Sequence, residues 1–476
     1  MTRAIIVGAG VNGLTAASYL VKGGLDVLVL EKQNRVGGLA ATHEFAPGRR
    51  ATVGPDNVGL LLPQVAKDLG IRVQLLDPVV ANASGLVLFA DPAKSAEQIQ
   101  ALSRKDAEAY PRFHALIDKL CDFLRPLLSK PAPEPRIESG SDLIELLKLG
   151  WGFRQLGTRA MHELLRIAPM SLADFLDEWF ENDRLKATLG AAALEGVCLG
   201  PRSAGTAALF LYQRLGRPAV AADLSEQLLA ACGAKVRTDA AVARILVDGG
   251  RARGVALESG EEIPADLVLS ALAARTTFEK LVHPSELPAS FVAEVGAIRY
   301  RGVTAKLNLA LSEPVRFRCG DARLVVVGES LDEFERAYDA SKYGQISKRP
   351  WLRCFASDQS LSVTAQYVPF ASSDRGEVEA RILESLEEAA PGLKTSIVAK
   401  GLWMPSDYEE KLGLPEGNWH QGEMALDQMF FMRPVPGWSR YESPIEGLYL
   451  CGAATHPGGG ITGACGYNAA KRVLKR

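Results

Sequence analysis

The sequence predicts an α/β fold in which a parallel-sheet domain, discontinuous along the chain, carries an inserted α+β domain. Three observations predict it. A strand, a glycine turn, a helix and a second strand follow one another between Ala4 and Glu31. A block of helical periodicity from about residue 95 to 215 is too long to be a crossover between neighbouring strands. Strand-like runs then return from Lys235, and the chain closes on a strand, a glycine-rich loop and a helix.

The first strand and its turn carry the strongest local signal. Ala4–Val7 is apolar and rich in β-branched residues, as in a buried parallel strand. Three glycines follow at once. Gly8 permits a tight turn, Gly10 lets a pyrophosphate approach the backbone, and Gly13 lets the next helix pack closely on the strand. This pattern is typical of dinucleotide binding, whereas a glycine-rich turn in an unrelated α/β protein is the weaker alternative.

The residues after the turn complete this unit. A helix from Leu14 to about Lys22 would direct its partially positive N-terminus at the phosphates, and Gly23-Gly24 would end it. The second strand leads to Glu31, close to the spacing at which an acid meets a ribose hydroxyl. A second glycine pair then follows in Arg35-Val-Gly37-Gly38. This pair resembles that of glutathione-reductase-like flavoproteins of the amine oxidase and phytoene desaturase type, so the resemblance favours FAD over NAD.

Composition excludes several classes of function. The 476 residues have a formal net charge of −2, with no basic stripe, so nucleic acid is not an expected partner. Seven scattered cysteines without a CxxC pair, and six histidines without metal-ligand spacing, argue against dithiol chemistry and a metal site. The first strand begins at residue 4, which leaves no room for a signal peptide, and no apolar run reaches about 18 residues. We therefore expect a cytoplasmic protein.

Changes of pattern along the chain divide it into five segments. Hairpin turn signals at Asp248-Gly-Gly250 and Ser259-Gly260 accompany the return of strands, and Thr304–Leu311 alternates as a strand. An FAD-binding domain is expected to be built from residues 1–80, 216–298 and 421–476. A substrate domain is expected to be built from residues 81–215, which are mainly helical, and residues 299–420, which are rich in sheet.

The C-terminal segment is expected to return to the cofactor. Gly447–Gly452 holds a buried strand, and a helix is predicted from Gly463 to Lys475. Between them stand three successive glycines, Gly458–Gly460, which have little packing value and indicate close approach to a ligand. The helix N-terminus there could stabilise negative charge on a reduced flavin. A glycine-rich turn that only caps the helix is the alternative.

With both ends considered, nearly the whole chain resembles the phytoene desaturase-related FAD-dependent oxidoreductases, in the group named for a pyridine nucleotide–disulphide oxidoreductase domain. The most specific block is Thr455–Gly460, and Asp106–Tyr110 and Glu178–Phe180 also match. Gly216–Ala219 departs from the usual glycine-rich turn, and Gln421 stands where relatives often have a second histidine. The fold implied is a glutathione-reductase-like (Rossmann-type) FAD-binding domain. The cofactor-binding residues implied or predicted are Gly8, Gly10, Val11, Asn12, Gly13, Glu31, Lys32, Arg35, Gly37, Gly38, Leu39, Val242, Gly452, Ala453, Gly459, Gly460, Ile461 and Thr462.

Three residues are candidates for catalysis. Lys306 lies on a strand that resembles the one carrying a lysine beside flavin N5 in flavin amine oxidases; it would share a face with Thr304 and Asn308. The alternative is a solvated lysine on an open sheet face. His456 could shape the flavin loop, bond to the cofactor or act as acid and base. His420 could line the active-site cavity or pack at a domain junction.

The expected function is removal of hydride from a C–C or C–N bond of a hydrophobic small molecule by FAD, with O₂ or a quinone as electron acceptor. A flavin amine oxidase that uses O₂, and an FAD-stabilised interaction protein with little turnover, are the alternatives. Leu143–Ile167, with Trp151 among basic residues, fits a helix in peripheral contact with a membrane, although a core-facing helix fits it better. The expected assembly is a monomer or a homodimer.

Overall fold

Two large sheets organise the chain, and the computed structural model describes residues 2–133 and 140–475. The N-terminal region forms β1 (Arg3–Val7), α1 (Val11–Lys22), β2 (Asp26–Leu30), β3 (Thr42–Ala46), β4 (Arg49–Thr52), α2 (Pro63–Leu69), β5 (Gln74–Leu75), β6 (Val80–Asn82) and β7 (Val87–Leu88). A helical region follows, with α3 (Pro92–Gln100), α4 (Arg104–Leu124), α5 (Gly140–Gln155), α6 (Thr158–Ile167), α7 (Leu172–Asp177), α8 (Asp183–Leu194) and α9 (Thr206–Arg214).

Strands and helices alternate in the second half. The next elements are β8 (Ala219–Val220), α10 (Leu224–Cys232), β9 (Lys235–Arg237), β10 (Val242–Asp248), β11 (Arg251–Leu257), β12 (Glu262–Pro264), β13 (Leu267–Ser270) and α11 (Ala289–Gly296). The last are β14 (Thr304–Leu311), β15 (Leu324–Val327), α12 (Leu331–Lys342), β16 (Leu352–Ser357), β17 (Ser360–Gln366), α13 (Arg375–Ala389), α14 (Leu393–Ser396), β18 (Ile397–Trp403), α15 (Pro405–Leu412), β19 (Leu448–Leu450) and α16 (Ala464–Leu474).

The first sheet is parallel and has five strands in the order β19-β13-β1-β2-β9. Ile5 and Ile6 are both fully buried, which is why β1 is apolar on both faces. The strands come from three distant stretches of the chain, so the predicted discontinuous α/β fold is confirmed. Helices α1 and α16 pack side by side on this sheet; a Cβ on Gly466 would lie 2.0 Å from the Asn12 carbonyl oxygen.

A three-stranded antiparallel sheet, in the order β10-β11-β12, stands beside the parallel sheet. Gly249 and Gly250 connect β10 to β11 with φ of 57° and 74°. A two-residue turn with two positive φ angles matches the right-handed twist of a hairpin, and glycine adopts it without strain. The hairpin predicted at Asp248-Gly-Gly250 is therefore confirmed.

The second large sheet has seven strands in the order β18-β14-β17-β16-β15-β6-β7. Ala305, Leu307 and Leu309 of β14 enter an apolar core on one face, together with Ile382 and Leu386 of α13. The other face of β14 is polar and equally buried. Strand β7 and most of β6 come from the segment that was expected to be mainly helical, and they extend this sheet through the parallel pairing of β6 with β15.

The helical region covers the other side of the molecule. Phe113, Phe175 and Phe210, from α4, α7 and α9, form the aromatic centre of its core, with ring centroids 5.8 to 6.0 Å apart. Ser171 caps the N-terminus of α7, because its hydroxyl accepts a hydrogen bond from the Asp174 amide at 3.0 Å. Across the described ranges 2–133 and 140–475, no helix combines the length and the apolar character needed to cross a bilayer.

Candidate active site

A cavity of about 450 Å³ opens at the C-terminal ends of β1, β2 and β13. Carboxyl ends of parallel strands, at the point where the strand order reverses, are the usual place for a ligand in an open α/β sheet. Most of the predicted cofactor-binding residues line this cavity: Gly8, Gly10, Val11, Asn12, Gly13, Glu31, Lys32, Arg35, Gly37, Gly38, Leu39, Val242, Ala453, Gly460 and Ile461.

The glycine turn explains why this cavity can take a phosphate. Gly8 has a φ of 97°, and a Cβ on Gly13 would lie 2.1 Å from the Gly8 carbonyl oxygen, so both positions require glycine. A Cβ on Gly10 would instead meet no atom within 4 Å. No side chain caps the N-terminus of α1, so its free N–H groups face the cavity. The three glycine roles expected from the motif match these distances.

Glu31 links the end of β2 to this turn. Its carboxylate accepts hydrogen bonds from the Ala9 amide at 2.8 Å and from the Gln33 amide at 3.0 Å. The side chain is buried and lines the cavity. A carboxylate fixed by two backbone donors keeps acceptor capacity for a ribose hydroxyl, since each oxygen has two lone pairs.

Four residues of the cavity wall carry a buried polar atom without a hydrogen-bond partner among the residues described: Asn12 Oδ1, His43 Nε2, Trp419 Nε1 and His420 Nδ1. Buried polar atoms are almost always hydrogen-bonded, so four such residues around one cavity indicate a polar ligand. A dinucleotide with phosphates at α1 and a polar ring system near His43 and His420 fits this wall. The residues present therefore fit FAD.

The C-terminal loop forms one side of the cavity through Ala453, Gly460 and Ile461. The other predicted residues of this loop stand behind the wall. A Cβ on Gly452 would lie 2.4 Å from the Ala271 carbonyl oxygen, and one on Gly459 would lie 2.0 Å from His420 Nδ1. Thr462 accepts a hydrogen bond from the Ala464 amide at 3.1 Å, at the start of α16. Gly452, Gly459 and Thr462 do not line the cavity, so any role that they have in cofactor binding would be indirect.

His420 lies in the cavity wall, as one of its two predicted placements required. Its Nε2 lies 3.3 Å from the Glu195 carbonyl oxygen, so Nε2 donates and Nδ1 remains as an acceptor. Burial lowers the pKa of His420 to about 4. The ring is therefore neutral at pH 7, and its free acceptor nitrogen lies beside Gly459.

Lys306 is fully buried, so the alternative of a solvated lysine on an open sheet face is wrong. Its Nζ lies 2.5 Å from a carboxylate oxygen of Asp56 and 3.4 Å from the Thr364 hydroxyl. Thr304 and Asn308 share its face, as the alternation predicts. Lys306 does not itself line the cavity, but Asp56 follows Pro55, which does. A place for Lys306 beside flavin N5 stays a prediction.

His456 lies outside the cavity lining. Its Nε2 is 3.1 Å from the Leu127 carbonyl oxygen, which joins the C-terminal loop to the helical region. Burial lowers the pKa of this histidine to about 4 as well. Of the three roles expected for it, shaping the loop matches these contacts, and an acid–base role stays a prediction. Cys465 is buried, and burial raises the pKa of its thiol, as expected for a packed residue.

Among the residues of this site that were not predicted, His43 and Arg433 stand out by their contacts. His43, on β3, lines the cavity, and burial lowers its pKa to about 4. Arg433 is buried and donates hydrogen bonds to five carbonyl groups, of His420, Gly422, Glu423, Gln428 and Ala453. It thereby holds the two cavity-wall segments around His420 and Ala453 together. In the sequence, Arg433 stands beside Pro434, and this pair resembles the corresponding positions of the phytoene desaturase-related group.

Comparisons with known proteins agree with this geometry. A family model described as "Flavin containing amine oxidoreductase" matches residues 12–474. The chain is 30% identical to the pyridine nucleotide-disulfide oxidoreductase domain-containing protein 2 of Rattus norvegicus, over 99% of this chain and 93% of that protein. It is 24% identical to a lycopene-forming phytoene desaturase from Paracoccus sp. (97% and 95% covered). A cyclohexylamine oxidase from Brevibacterium oxydans has a similar structure, with a TM-score of 0.60 at 17% identity and 100% and 99% covered.

Proposed function

Because the chain belongs to the flavin-containing amine oxidoreductase family and is an FAD-dependent oxidoreductase, we propose that it removes a hydride from a C–C or C–N bond of a hydrophobic small molecule. The oxidoreductase assignment removes the alternative of an interaction protein with little turnover. The observation that carries the proposal is the cavity that runs from the open N-terminus of α1 to the buried side chain of His420.

The chemistry requires a balanced transfer of two electrons. Bound FAD supplies the hydride acceptor. The substrate loses a hydride and a proton and gains one double bond, and the electrons then pass to O₂, which gives hydrogen peroxide, or to a quinone, which gives the quinol. The protein's role is to hold the cofactor through the turn at Gly8–Gly13 and Glu31, and to exclude water behind the wall at His420.

The family offers both a desaturase and an oxidase outcome. The matched phytoene desaturase points to a C–C bond and a lipophilic substrate, whereas the structural likeness to an amine oxidase shows the fold alone. The buried ammonium of Lys306 supports oxygen reduction, since a positive charge near the cofactor favours electron transfer to O₂. A flavin amine oxidase that uses O₂ is therefore the second candidate.

The test is the absorbance spectrum of the purified protein, followed by anaerobic reduction and admission of air. Flavin bands that disappear on reduction are expected. Bands that return within seconds identify an oxidase, and amines should then be screened first. Bands that return slowly identify a dehydrogenase that passes electrons to a quinone, and lipophilic donors come first. Absence of flavin bands after addition of FAD would overturn the proposal.

We also propose that the outer face of α5 rests on an anionic membrane surface. Leu143, Ile144, Leu147 and Trp151 are exposed there, and Trp151 is 64% accessible. A groove of about 1180 Å³ lies next to this stripe, between α4, α5 and α16. Among the described residues, its wall includes five lysines and the two carboxylates of Asp122 and Glu145. An apolar stripe beside positive charge matches the interior and headgroups of an anionic bilayer.

Vesicle sedimentation tests the membrane contact. Binding to vesicles with 30 mol% phosphatidylserine, and none to pure phosphatidylcholine, is expected at low salt. Trp151→Glu should abolish it, whereas Tyr343→Glu, at an exposed aromatic residue that follows α12, should leave it unchanged. Equal sedimentation of the wild type and Trp151→Glu would contradict the contact.

A further inference from the structure

A second cavity lies between α8, α9 and the edge of the seven-stranded sheet formed by β6, β15 and β16. Its volume is about 60 Å³, room for about four water molecules by the usual measure. Leu60 belongs to its wall and also packs against Gly460, which lines the cofactor cavity. The two cavities are thus separated by one side chain, which makes the second cavity a candidate substrate site.

The walls of this second cavity are mostly apolar, and the charged side chains among them are all cationic. Arg214, Arg217 and Arg353 line it, and no Asp or Glu belongs to its lining. Arg353 is buried and pairs with Glu195, so this pair is neutral. For Arg214 and Arg217, no carboxylate within 4 Å is found in the described stretches of the chain. Arg217 is exposed and Arg214 is half-buried, so solvent screens part of this charge, but the cavity still presents to a ligand two guanidinium groups that have no carboxylate partner among the described residues.

A donor in the same cavity is also unused. Arg353 Nε is buried and has no hydrogen-bond partner among the residues that the structure describes. The side chain stands on β16, opposite Thr364 on β17, and Thr364 stands opposite Lys306 on β14. Arg353 and Lys306 are thus two strand spacings apart, about 10 Å. The free donor belongs to the same buried polar sheet face as the candidate catalytic lysine.

A purely structural role for Arg214 is not favoured by its surroundings. It is the last residue of α9, where a cation would ordinarily serve the free carbonyl groups of the helix end. Two carbonyls at this end have other donors: Arg125 Nε donates to the Leu215 carbonyl at 2.9 Å, and the Cys121 thiol donates to that of Leu211 at 3.8 Å. Within residues 2–133 and 140–475, no partner is found for the Arg214 guanidinium, which is left facing the cavity.

We propose that this cavity binds the acidic group of the substrate, so that the substrate is an apolar molecule with a carboxylate. The planar guanidinium of Arg214 provides two parallel N–H donors to the carboxylate, and Arg353 Nε provides a third. Leu60, Leu189 and Phe210 contact the apolar portion. This inference rests on the proposed oxidoreductase function, which it refines from a hydrophobic substrate to an acidic one.

Calorimetric titration of the FAD-loaded protein with three short probes that share one alkyl chain tests this. Hexanoate is expected to bind at least tenfold more tightly than hexan-1-ol or hexylamine. Arg214→Gln should weaken hexanoate binding at least tenfold and leave hexan-1-ol unaffected. The control is Arg336→Gln, at an exposed arginine on α12, which should bind hexanoate like the wild type.

The outcomes separate this inference from the proposed function. Hexylamine or hexan-1-ol binding as tightly as hexanoate would overturn the acidic-substrate inference, as would wild-type hexanoate affinity in Arg214→Gln. Each variant is first checked for flavin content and thermal unfolding, so that a folding defect is recognised. A protein without flavin bands contradicts the proposed function alone, since the calorimetric signal of hexanoate does not depend on flavin.

Discussion

The ammonium nitrogen of Lys306 lies 2.5 Å from a carboxylate oxygen of Asp56, although 250 residues separate them in sequence. The pair joins the seven-stranded sheet to the segment that follows β4. Asp56 also accepts a hydrogen bond from the Thr52 hydroxyl at 2.9 Å, which fixes its orientation. A buried lysine thus lies directly behind Pro55 in the wall of the cofactor cavity, with its charge balanced by a single carboxylate.

Lys306→Met is expected to slow reoxidation of the reduced flavin by O₂ at least tenfold, because it removes a fully buried positive charge that pairs with Asp56, next to Pro55 in the cavity wall. It should also lower the free energy of unfolding by about 3 kcal/mol, because Asp56 is left as an unpaired buried charge. Stopped-flow absorbance after anaerobic reduction measures the first effect, and urea unfolding measures the second.

A double variant separates the two effects of Lys306→Met. Adding Asp56→Asn should restore most of the stability and leave reoxidation slow. Lys400→Met, on the neighbouring strand β18 at a half-exposed lysine, is the control and should change neither quantity. An unchanged reoxidation rate in Lys306→Met would exclude a role in oxygen activation.

Adding a methyl group to the glycine turn is expected to have opposite effects at Gly10 and at Gly13. Gly10→Ala meets open space, so the cofactor-free protein should unfold within about 2 °C of the wild type while FAD affinity falls at least tenfold. Gly13→Ala places its Cβ against the Gly8 carbonyl, so it should destabilise the cofactor-free protein itself. Thermal unfolding without cofactor and fluorescence titration with FAD test both. Equal FAD affinity in Gly10→Ala and the wild type would contradict phosphate binding at this turn.

Stability should fall as the pH is lowered from about 6.5 to 4. Burial lowers the folded-state pKa of His43, His420 and His456 to about 4, against 6.5 for an ordinary histidine. The unfolded chain therefore binds more protons in this window, and the free energy of unfolding rises with pH across it. Each histidine contributes on the order of 3 kcal/mol. Urea unfolding at pH 7.0, 5.5 and 4.5 measures the slope.

Replacing one of these histidines shows how much it contributes to the pH dependence of the free energy of unfolding. The pH dependence of His456→Gln should be less steep than that of the wild type by about a third of the combined effect of the three histidines. His283→Gln, at an exposed histidine, should keep the full slope. An identical pH dependence in the wild type and His456→Gln would show that this histidine is not held neutral by the fold.

Arg433→Lys is expected to destabilise the protein by about 3 kcal/mol and to release FAD. A lysine has three donors on one nitrogen, so it cannot serve the five carbonyl groups that the guanidinium holds, and each buried carbonyl without a partner costs about 1 kcal/mol or more. Flavin retained on gel filtration and urea unfolding provide the measurements. Arg349→Lys, at an exposed arginine, should behave like the wild type. Full flavin retention in Arg433→Lys would contradict its role in holding the wall.

The elements that the sequence predicted are those whose signals are local. The helix after Gly10 and the hairpin at Gly249 depend on residues a few positions apart, and β14 matches its predicted bounds, Thr304–Leu311. The resemblance then correctly identified the cofactor, and most of the residues predicted to bind it line the cavity. Local patterns sufficed because backbone conformation and burial there are fixed by neighbouring residues.

What escaped prediction depends on contacts between distant segments. The pairing of β6 with β15 joins positions near 81 and 325, and nothing in the sequence of either short stretch indicates that the other is its partner. Asp56 as the partner of Lys306, and His43 in the cavity wall, are results of the same kind. The role of Arg433 was hidden because its partners are backbone carbonyls, which every residue has.

The origin of the parallel sheet in three separate stretches has a consequence for how the protein is made. The phosphate-binding turn is synthesised long before β19 and the loop with Ala453 and Gly460, which emerge after every other wall segment. FAD can therefore be enclosed only after that last wall segment has been made. Until then, α1 lacks its neighbour α16, and the half-built sheet exposes apolar surface that is prone to aggregate.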